Sequence, residues 1–227
     1  MPEEEKASLD AALNLMAPII SHEIRNPLAV IGNSAYFIKS KLGAKDLDPK
    51  VAKHLGIIES ELKHANDVLG EMLSYARMRE PSFKPADLAS LVEDVLKSLP
   101  QQKNVKMEIS LQAGGLKVQA DAELLSAALR HVLRNALEAV ALLTDGGRVL
   151  ARAAKEGGAA ILDVSDSGPG VKPAVRERLF SPFNTDRPRG VGLGLAYAAK
   201  VVSLHKGSLE LLDSKAGAWF RLSLPAI

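Results

Sequence analysis

The sequence predicts two domains of different class. An antiparallel helical hairpin over residues 1–80 forms a dimeric four-helix bundle, and an α/β sandwich over residues 81–227 carries a largely antiparallel sheet with helices on one face. Three observations predict this. Apolar residues recur every three or four positions as far as Ala76, the spacing of one helix face. Pro81 and Pro85 then stop the pattern. Beyond them, short alternating strands are interleaved with helical stretches, and 227 residues suffice for two domains of ordinary size.

The first helix is expected over residues 9 to 42. Leu13, Met16, Ile20, Ile24, Leu28, Ile31, Ala35, Ile38 and Leu42 line one face, and Gly43 is a suitable stop. After the connection "AKDLDP", Pro49 fits the first turn of a second helix. Val51, Leu55, Ile58, Leu62, Ala65, Leu69, Met72 and Ala76 alternate steps of four and three, which makes a coiled-coil seam. One hairpin covers only one face of each helix, so two hairpins are expected to pair as a homodimer. His54 and His64 fall off the seam and carry no assigned chemistry.

His22 points away from this apolar face. At about 100° per residue it lies roughly 200° from both Ile20 and Ile24. A neutral imidazole in water is a nucleophile near pH 7, and Glu23 beside it is placed to take a proton. Adjacent helical residues diverge, so their contact needs a favourable rotamer pair or local unwinding, for which Pro27 supplies a reason. A solvated surface histidine near a kink is the alternative reading of these residues alone.

Composition narrows the field. A formal net charge of +2, without a basic stretch interleaved with aromatics, argues against nucleic acid. The lack of cysteine excludes disulfides and thiolate chemistry and fits a reducing cytoplasm. No apolar run approaches the length of a membrane span, and the start "MPEEEK" is unlike a secretory signal.

In the second domain, a helix is expected from Ala86 to Leu99, strands at "VKMEISL" and "LKVQA", and a helix capped by Asp121 running to about Leu142. On that helix Leu125, Ala128, Leu129, Val132, Ala136 and Val140 face a core, while His131, Asn135 and Glu138 share another face. A polar stripe on a largely buried helix needs partners. Strands over 148–154 and 159–165 form a hairpin around "KEGG". Asp166-Ser167-Gly168-Pro169-Gly170 follows, an acid with glycines that let backbone approach a ligand. Next comes "LFSPFNTDRPRG", with Phe180 and Phe183 as anchors of a mobile loop carrying Arg187 and Arg189. "GVGLGL", from Gly190 to Leu195, opens a helix running to about His205, its amides suited to phosphate. His205 suits a capping role, and "GSLELL" with "GAWFRLSLP" closes the chain as a hairpin.

These stretches carry a resemblance. "SHEIRNPL" resembles the H-box of bacterial sensor histidine kinases. "LRHVLRNALEAV", "DSGPG", "LFSPFNTDRP" and "GVGLGL" are similar in order to the N, G1, F and G2 boxes of the ATP-binding domain shared by histidine kinases, gyrase, Hsp90 and MutL. The resemblance implies that His22 accepts phosphate, that Glu23 is its base and that Asn26 positions phosphate or water. It implies that Asn135 ligates Mg²⁺, that Asp166 reads adenine, and that Gly168 and Gly170 shape the pocket. Gly190, Gly192, Leu193 and Gly194 would admit the phosphates, with Thr185 and Arg187 in the lid. A response-regulator receiver domain would be the partner, reached after the ATP-binding domain swings on a linker over 79–85. Such kinases usually carry an input domain before the H-box.

Three departures stand out. His131 replaces the first Asn of the N-box, as in chemotaxis-type histidine kinases, and metal, phosphate and Asn135 are all open as its contact. Asn184-Thr185-Asp186-Arg187 replaces the common Phe-Thr-Thr-Lys. Ala218 stands where a Thr often supports the adenine-binding Asp. The reading is a kinase core that phosphorylates His22 and passes the phosphoryl to an aspartate. An ATPase without phosphohistidine and a non-catalytic nucleotide-binding scaffold are the alternatives.

Overall fold

The computed structural model describes residues 3–42, 48–100, 103–112, 116–141, 143–187 and 189–227. Gly43, most of the "AKDLDP" connection, Leu142, Pro188 and the side chain of Leu13 lie outside the described residues. The chain divides between Met78 and Arg79 into two compact units.

The first unit is a pair of long helices, α1 (Glu3–Leu42) and α2 (Pro49–Ala76). Pro49 occupies the first turn of α2, and the Asp48 side chain caps it by accepting from the Lys50 amide at 2.7 Å. The helices run antiparallel, since Lys39 pairs with Glu59 at 2.8 Å while Gly32 faces Leu62. Within the hairpin only part of the expected stripe is covered. Ala17, Ser21 and Ala35 of α1 are buried, with Leu55 and Leu69 of α2. Met16, Ile24, Ile31, Ile38 and Leu42 remain exposed, as do Val51 and Ile58. The buried α1 residues are small, which brings the helices close and leaves the large side chains to one flank.

Ser21 is 1% exposed and its Oγ has no hydrogen-bond partner among the described residues. A buried unsatisfied hydroxyl opposes folding, and an apolar group of the same shape removes that penalty. Ser21→Ala is therefore expected to stabilise the hairpin by up to about 1 kcal/mol. A lower midpoint in urea unfolding would contradict this.

The second unit contains two sheets. β1 (Lys84–Asp87) pairs antiparallel with β3 (Lys117–Ala120). The main sheet has the order β2-β4-β5-β7-β6, formed by β2 (Val105–Leu111), β4 (Gly147–Glu156), β5 (Ala159–Asp166), β7 (Trp219–Pro225) and β6 (Ser208–Leu212). All its pairs are antiparallel except β2 with β4. Helices α3 (Leu88–Ser98), α4 (Ala122–Ala141) and α6 (Gly194–Leu204), with the single turn α5 (Pro173–Arg176), complete it. Alternation decides which sheet face is covered. Val149, Ala151, Leu162, Val164, Phe220 and Leu222 point to the helices and are buried. On the other face Asp163 accepts from Trp219 Nε1 at 3.0 Å and from Arg221 at 2.8 Å. All six expected core positions of α4 are buried.

Two expectations need correction. The helix expected from Ala86 begins at Leu88, because Lys84–Asp87 forms a strand and the Asp87 side chain caps α3 through the Ser90 amide at 3.2 Å. Lys84 precedes Pro85, which favours extended backbone, and its strand partner lies more than thirty residues away. Nor is 79–85 a free linker. Arg79 pairs with Asp121 and reaches Glu123 at 2.9 Å, the Ser82 amide donates to Asp121 at 2.9 Å, and Phe83 packs edge-on against His205 at 5.4 Å.

Asp121 is the hub of this docking. Its carboxylate also caps α4 through the Leu124 amide at 3.1 Å, and the Arg79 guanidinium foremost holds its pKa well below the usual carboxylate range. Its own amide donates to His205 Nε2 at 3.0 Å. That bond leaves the imidazole proton on Nδ1, which donates to the Val201 carbonyl at 2.8 Å. The expected capping role of His205 thus extends further, since it joins the end of α6 to the start of α4.

Candidate active site

In the first unit, α1 runs unbroken through Pro27. The unwinding expected there is absent, and rotamers alone bring His22 Nδ1 to 3.5 Å from Glu23 Oε1. Both side chains are about three-quarters exposed, at 75% and 74%. Asn26 is exposed one turn further on. With Nδ1 turned to a carboxylate, the imidazole presents Nε2 to solvent. This arrangement can accept an electrophile at Nε2 while the carboxylate draws on the Nδ1 proton.

In the second unit, Asp166 ends β5 and is 6% exposed. Its Oδ1 accepts from the Gly168 amide at 2.8 Å and the Ala218 amide at 3.3 Å. The backbone of residue 218 thus supports the aspartate in place of the threonine side chain that the resemblance leads one to expect. Oδ2 is buried without a partner among the described residues. Burial pushes the Asp166 pKa up, opposed by those two amides and by the Arg187 charge. A buried acceptor lacking a donor matches an amine such as that of adenine. The cradle is made by absent side chains. A Cβ on Gly168 would meet Ala139 Cβ at 2.9 Å, and one on Gly217, whose φ is +67°, would meet the Asp166 carbonyl oxygen at 1.8 Å.

The polar face of α4 forms the adjoining wall. His131 is partly buried, with its ring 5.1 Å from that of Tyr197 and its Nδ1 3.2 Å from Arg134 Nη2. A guanidinium only donates, so Nδ1 accepts and the neutral ring carries its proton on Nε2. Burial, then Arg134 and Arg130, lower the His131 pKa to about 4. Gly194 opens α6 against this ring, where a Cβ would stand 2.9 Å from Nδ1. The helix therefore starts at Gly194, and Gly190 lies in the preceding turn, closed by its amide on the Arg187 carbonyl at 3.0 Å. Leu193 is buried just before α6.

The lid touches both neighbours of this wall. Asn184 Nδ2 donates to the Val175 carbonyl at 2.8 Å, and Asp186 pairs with Lys172 at 3.0 Å. Thr185 Oγ1 accepts from the Arg187 amide at 3.1 Å, and a Cβ on Gly190 would fall 2.6 Å from that oxygen. Arg187 pairs with Glu138 and donates to the Asn135 carbonyl at 3.2 Å. Of the two phenylalanines expected to anchor the lid, only Phe180 does so, packing against Phe220 at 6.5 Å. Phe183 is 44% exposed in the left-handed region at φ 61°, and holds by its amide to the Gly192 carbonyl at 3.0 Å.

Thus α4 brings together what the sequence separates: Gly168 meets Ala139, Arg187 meets Asn135 and Glu138, and Gly194 meets His131. Gly170, with φ +77°, packs against Gly217. Sequence reading missed Gly217, Tyr197 and Arg134. Only the "GAW" turn could have pointed to the first. An open groove of about 800 Å³ near Lys103, Asp145 and Arg148 lies beyond Ser167 and shares none of the motif side chains on α4.

A magnesium ion needs oxygen ligands. Asn135 offers one amide oxygen, and no cluster of three acidic, histidine or cysteine side chains stands among the described residues. The residues fit a cation whose remaining ligands are phosphate and water.

Two family models match the chain. Residues 12–81 match the His Kinase A (phospho-acceptor) domain, and residues 120–227 match the histidine kinase-, DNA gyrase B- and HSP90-like ATPase domain. The class defined is an ATP-binding domain joined to a phosphoacceptor hairpin. The chain is 30% identical over 217 residues to the nitrogen regulation protein NtrY of Azorhizobium caulinodans, covering 91% of this chain and 28% of that protein. Full-length ShkA in complex with AMPPNP is similar at 25% identity with a TM-score of 0.72, covering 93% of this chain and 45% of that one. Histidine kinase ThkA in complex with response regulator protein TrrA is similar at 25% identity and a TM-score of 0.69, covering 99% and 65%. The chain carries a histidine kinase catalytic core, one family domain in each half, and spans 28% to 61% of the length of the curated relatives compared. Among the described residues no helix is long and apolar enough to cross a membrane.

Proposed function

We propose that this chain uses ATP to phosphorylate its own His22 and then hands the phosphoryl group to an aspartate on a response-regulator receiver domain. The observation that carries this reading is the exposed imidazole with Nδ1 directed at Glu23. Nε2 attacks the terminal phosphorus, a phosphorus–nitrogen bond forms, the bond to the departing ADP oxygen breaks, and Glu23 takes the Nδ1 proton. Asn26, one turn along α1, positions phosphate or, in the reverse sense, a water that dephosphorylates the regulator. Asp166 holds the adenine amine through Oδ2, Gly168 and Gly170 admit the ring, and Gly190, Gly192, Leu193 and Gly194 present backbone to the phosphates. Thr185 and Arg187 cover them. Bound Mg²⁺ supplies charge neutralisation at the phosphates, with Asn135 as its protein ligand.

His131 is better suited to donate from Nε2 than to ligate metal. Its Nδ1 is taken by Arg134, and that cation disfavours another beside it. The uncovered flank of Ile24, Ile31, Ile38, Val51 and Ile58 supports a homodimer, because a four-helix bundle would bury it. ATP as substrate supports a cytoplasmic location.

The test is incubation of the chain with Mg²⁺ and γ-labelled ATP. Acid-labile, base-stable label on the protein is expected. Phosphate release without label would leave an ATPase, and nucleotide binding with neither would leave a scaffold.

A further inference from the structure

The lid cation Arg187 does not stand free over the phosphate end. Its guanidinium lies on α4, paired with the Glu138 carboxylate and donating to the Asn135 carbonyl. Glu138 is itself drawn toward Arg134, whose Nε lies 3.7 Å from Glu138 Oε1, and Arg134 reaches His131. A run of alternating charge thus follows the polar face of α4 and ends on the lid.

The position of that run matters. The adenine end of the site is fixed by Asp166 and Gly168, and Gly168 packs on Ala139, the residue after Glu138. The phosphate end is fixed by Gly194, which packs on His131. Seven helical residues, about 10 Å, separate His131 from Glu138. Arg187 therefore crosses the wall between the two ends, where a nucleotide reaching from one to the other must lie. The lid is also held on its far side by Asn184 to Val175 and by Asp186 to Lys172, while Arg187 bridges it to α4.

We propose that Glu138 and Arg187 form a bar across the nucleotide site, which a nucleotide opens by drawing the guanidinium from the carboxylate to its phosphates. This rests on the nucleotide reading above. The bar makes binding depend on phosphate charge: adenosine has to displace Arg187 with nothing to offer it, whereas ATP replaces one anionic partner with another. Glu138 thereby sets affinity without touching the base.

The test uses the whole chain and two probes, adenosine and the non-hydrolysable ATP analogue AMPPNP, titrated calorimetrically at low salt. Glu138 is half exposed on a helix, so Glu138→Ala is compatible with the fold. Removing a pair of this exposure is expected to tighten binding of both probes about two- to fivefold. Arg187→Ala is expected to tighten adenosine similarly but to weaken AMPPNP, since the phosphates lose their cation. Without nucleotide, the amides of residues 184–187 should exchange faster in Glu138→Ala than in wild type. Unchanged or weaker adenosine binding by Glu138→Ala, or unchanged exchange, overturns the bar alone. If the wild type binds neither probe, the nucleotide reading falls and the bar falls with it.

Discussion

His22→Gln is expected to abolish phosphoryl label on the protein and to leave nucleotide affinity unchanged. The side chain is three-quarters exposed on an unbroken helix and supports no packing, so its removal costs the fold little. Glutamine keeps the approximate size and polarity but has no lone pair of imidazole basicity. The residues proposed to hold the nucleotide all lie in the second unit, which lacks His22. Glu23→Gln separates nucleophile from base: it leaves Nε2 in place and removes the carboxylate 3.5 Å from Nδ1, so labelling should slow by about 10²- to 10⁴-fold rather than vanish. The check is a time course of label at saturating ATP for the three proteins beside a binding titration. Residual base-stable label on His22→Gln would move the phosphoacceptor elsewhere.

Asp166→Asn is expected to weaken ATP binding by about 10- to 150-fold, the loss of one hydrogen bond to a charged group. The substitution is chosen to spare the fold. An asparagine Oδ1 can still accept from the Gly168 and Ala218 amides, but its Nδ2 would stand where Oδ2 now lies buried without a partner. A donor would then face the adenine amine. Because burial raises the pKa of this carboxyl, wild-type binding should also weaken on acidification at a higher pH than an ordinary carboxylate would give, as protonation makes Oδ2 a donor. Titration with ATP and with a purine analogue lacking the amine checks both points. Equal affinities of the wild type for the two would remove the role assigned to Asp166.

Much of this was legible in the residues themselves, and the reason is locality. The hairpin helices follow from a three-and-four spacing that any amphipathic helix must show. The outward direction of His22 was read from its angle to Ile20 and Ile24, although the face that the hairpin covers runs through Ala17, Ser21 and Ala35. The core of α4 and the hairpin of β4 with β5 were readable for the same reason, since helical periodicity and strand alternation are properties of neighbouring residues. The nucleotide motifs were legible as order along the chain, although each alone was weak.

What the sequence could not decide depends on partners far along the chain. Lys84–Asp87 is a strand only because Lys117–Ala120 lies beside it, and β2 pairs parallel with β4 across an intervening strand and helix. Residues 79–85 read as a linker because Pro81 and Pro85 punctuate them, and it is Asp121 and His205 that dock Arg79, Ser82 and Phe83. Arg187 could have faced solvent, phosphate or protein, and the approach of the lid to α4 gives it Glu138. By itself the sequence determined the helices, the strands that alternate and the residue types a phosphohistidine kinase needs. The tertiary structure decided which of those residues meet, because ion pairs, buried amides and close glycine contacts are set by distance in space, which local periodicity does not encode.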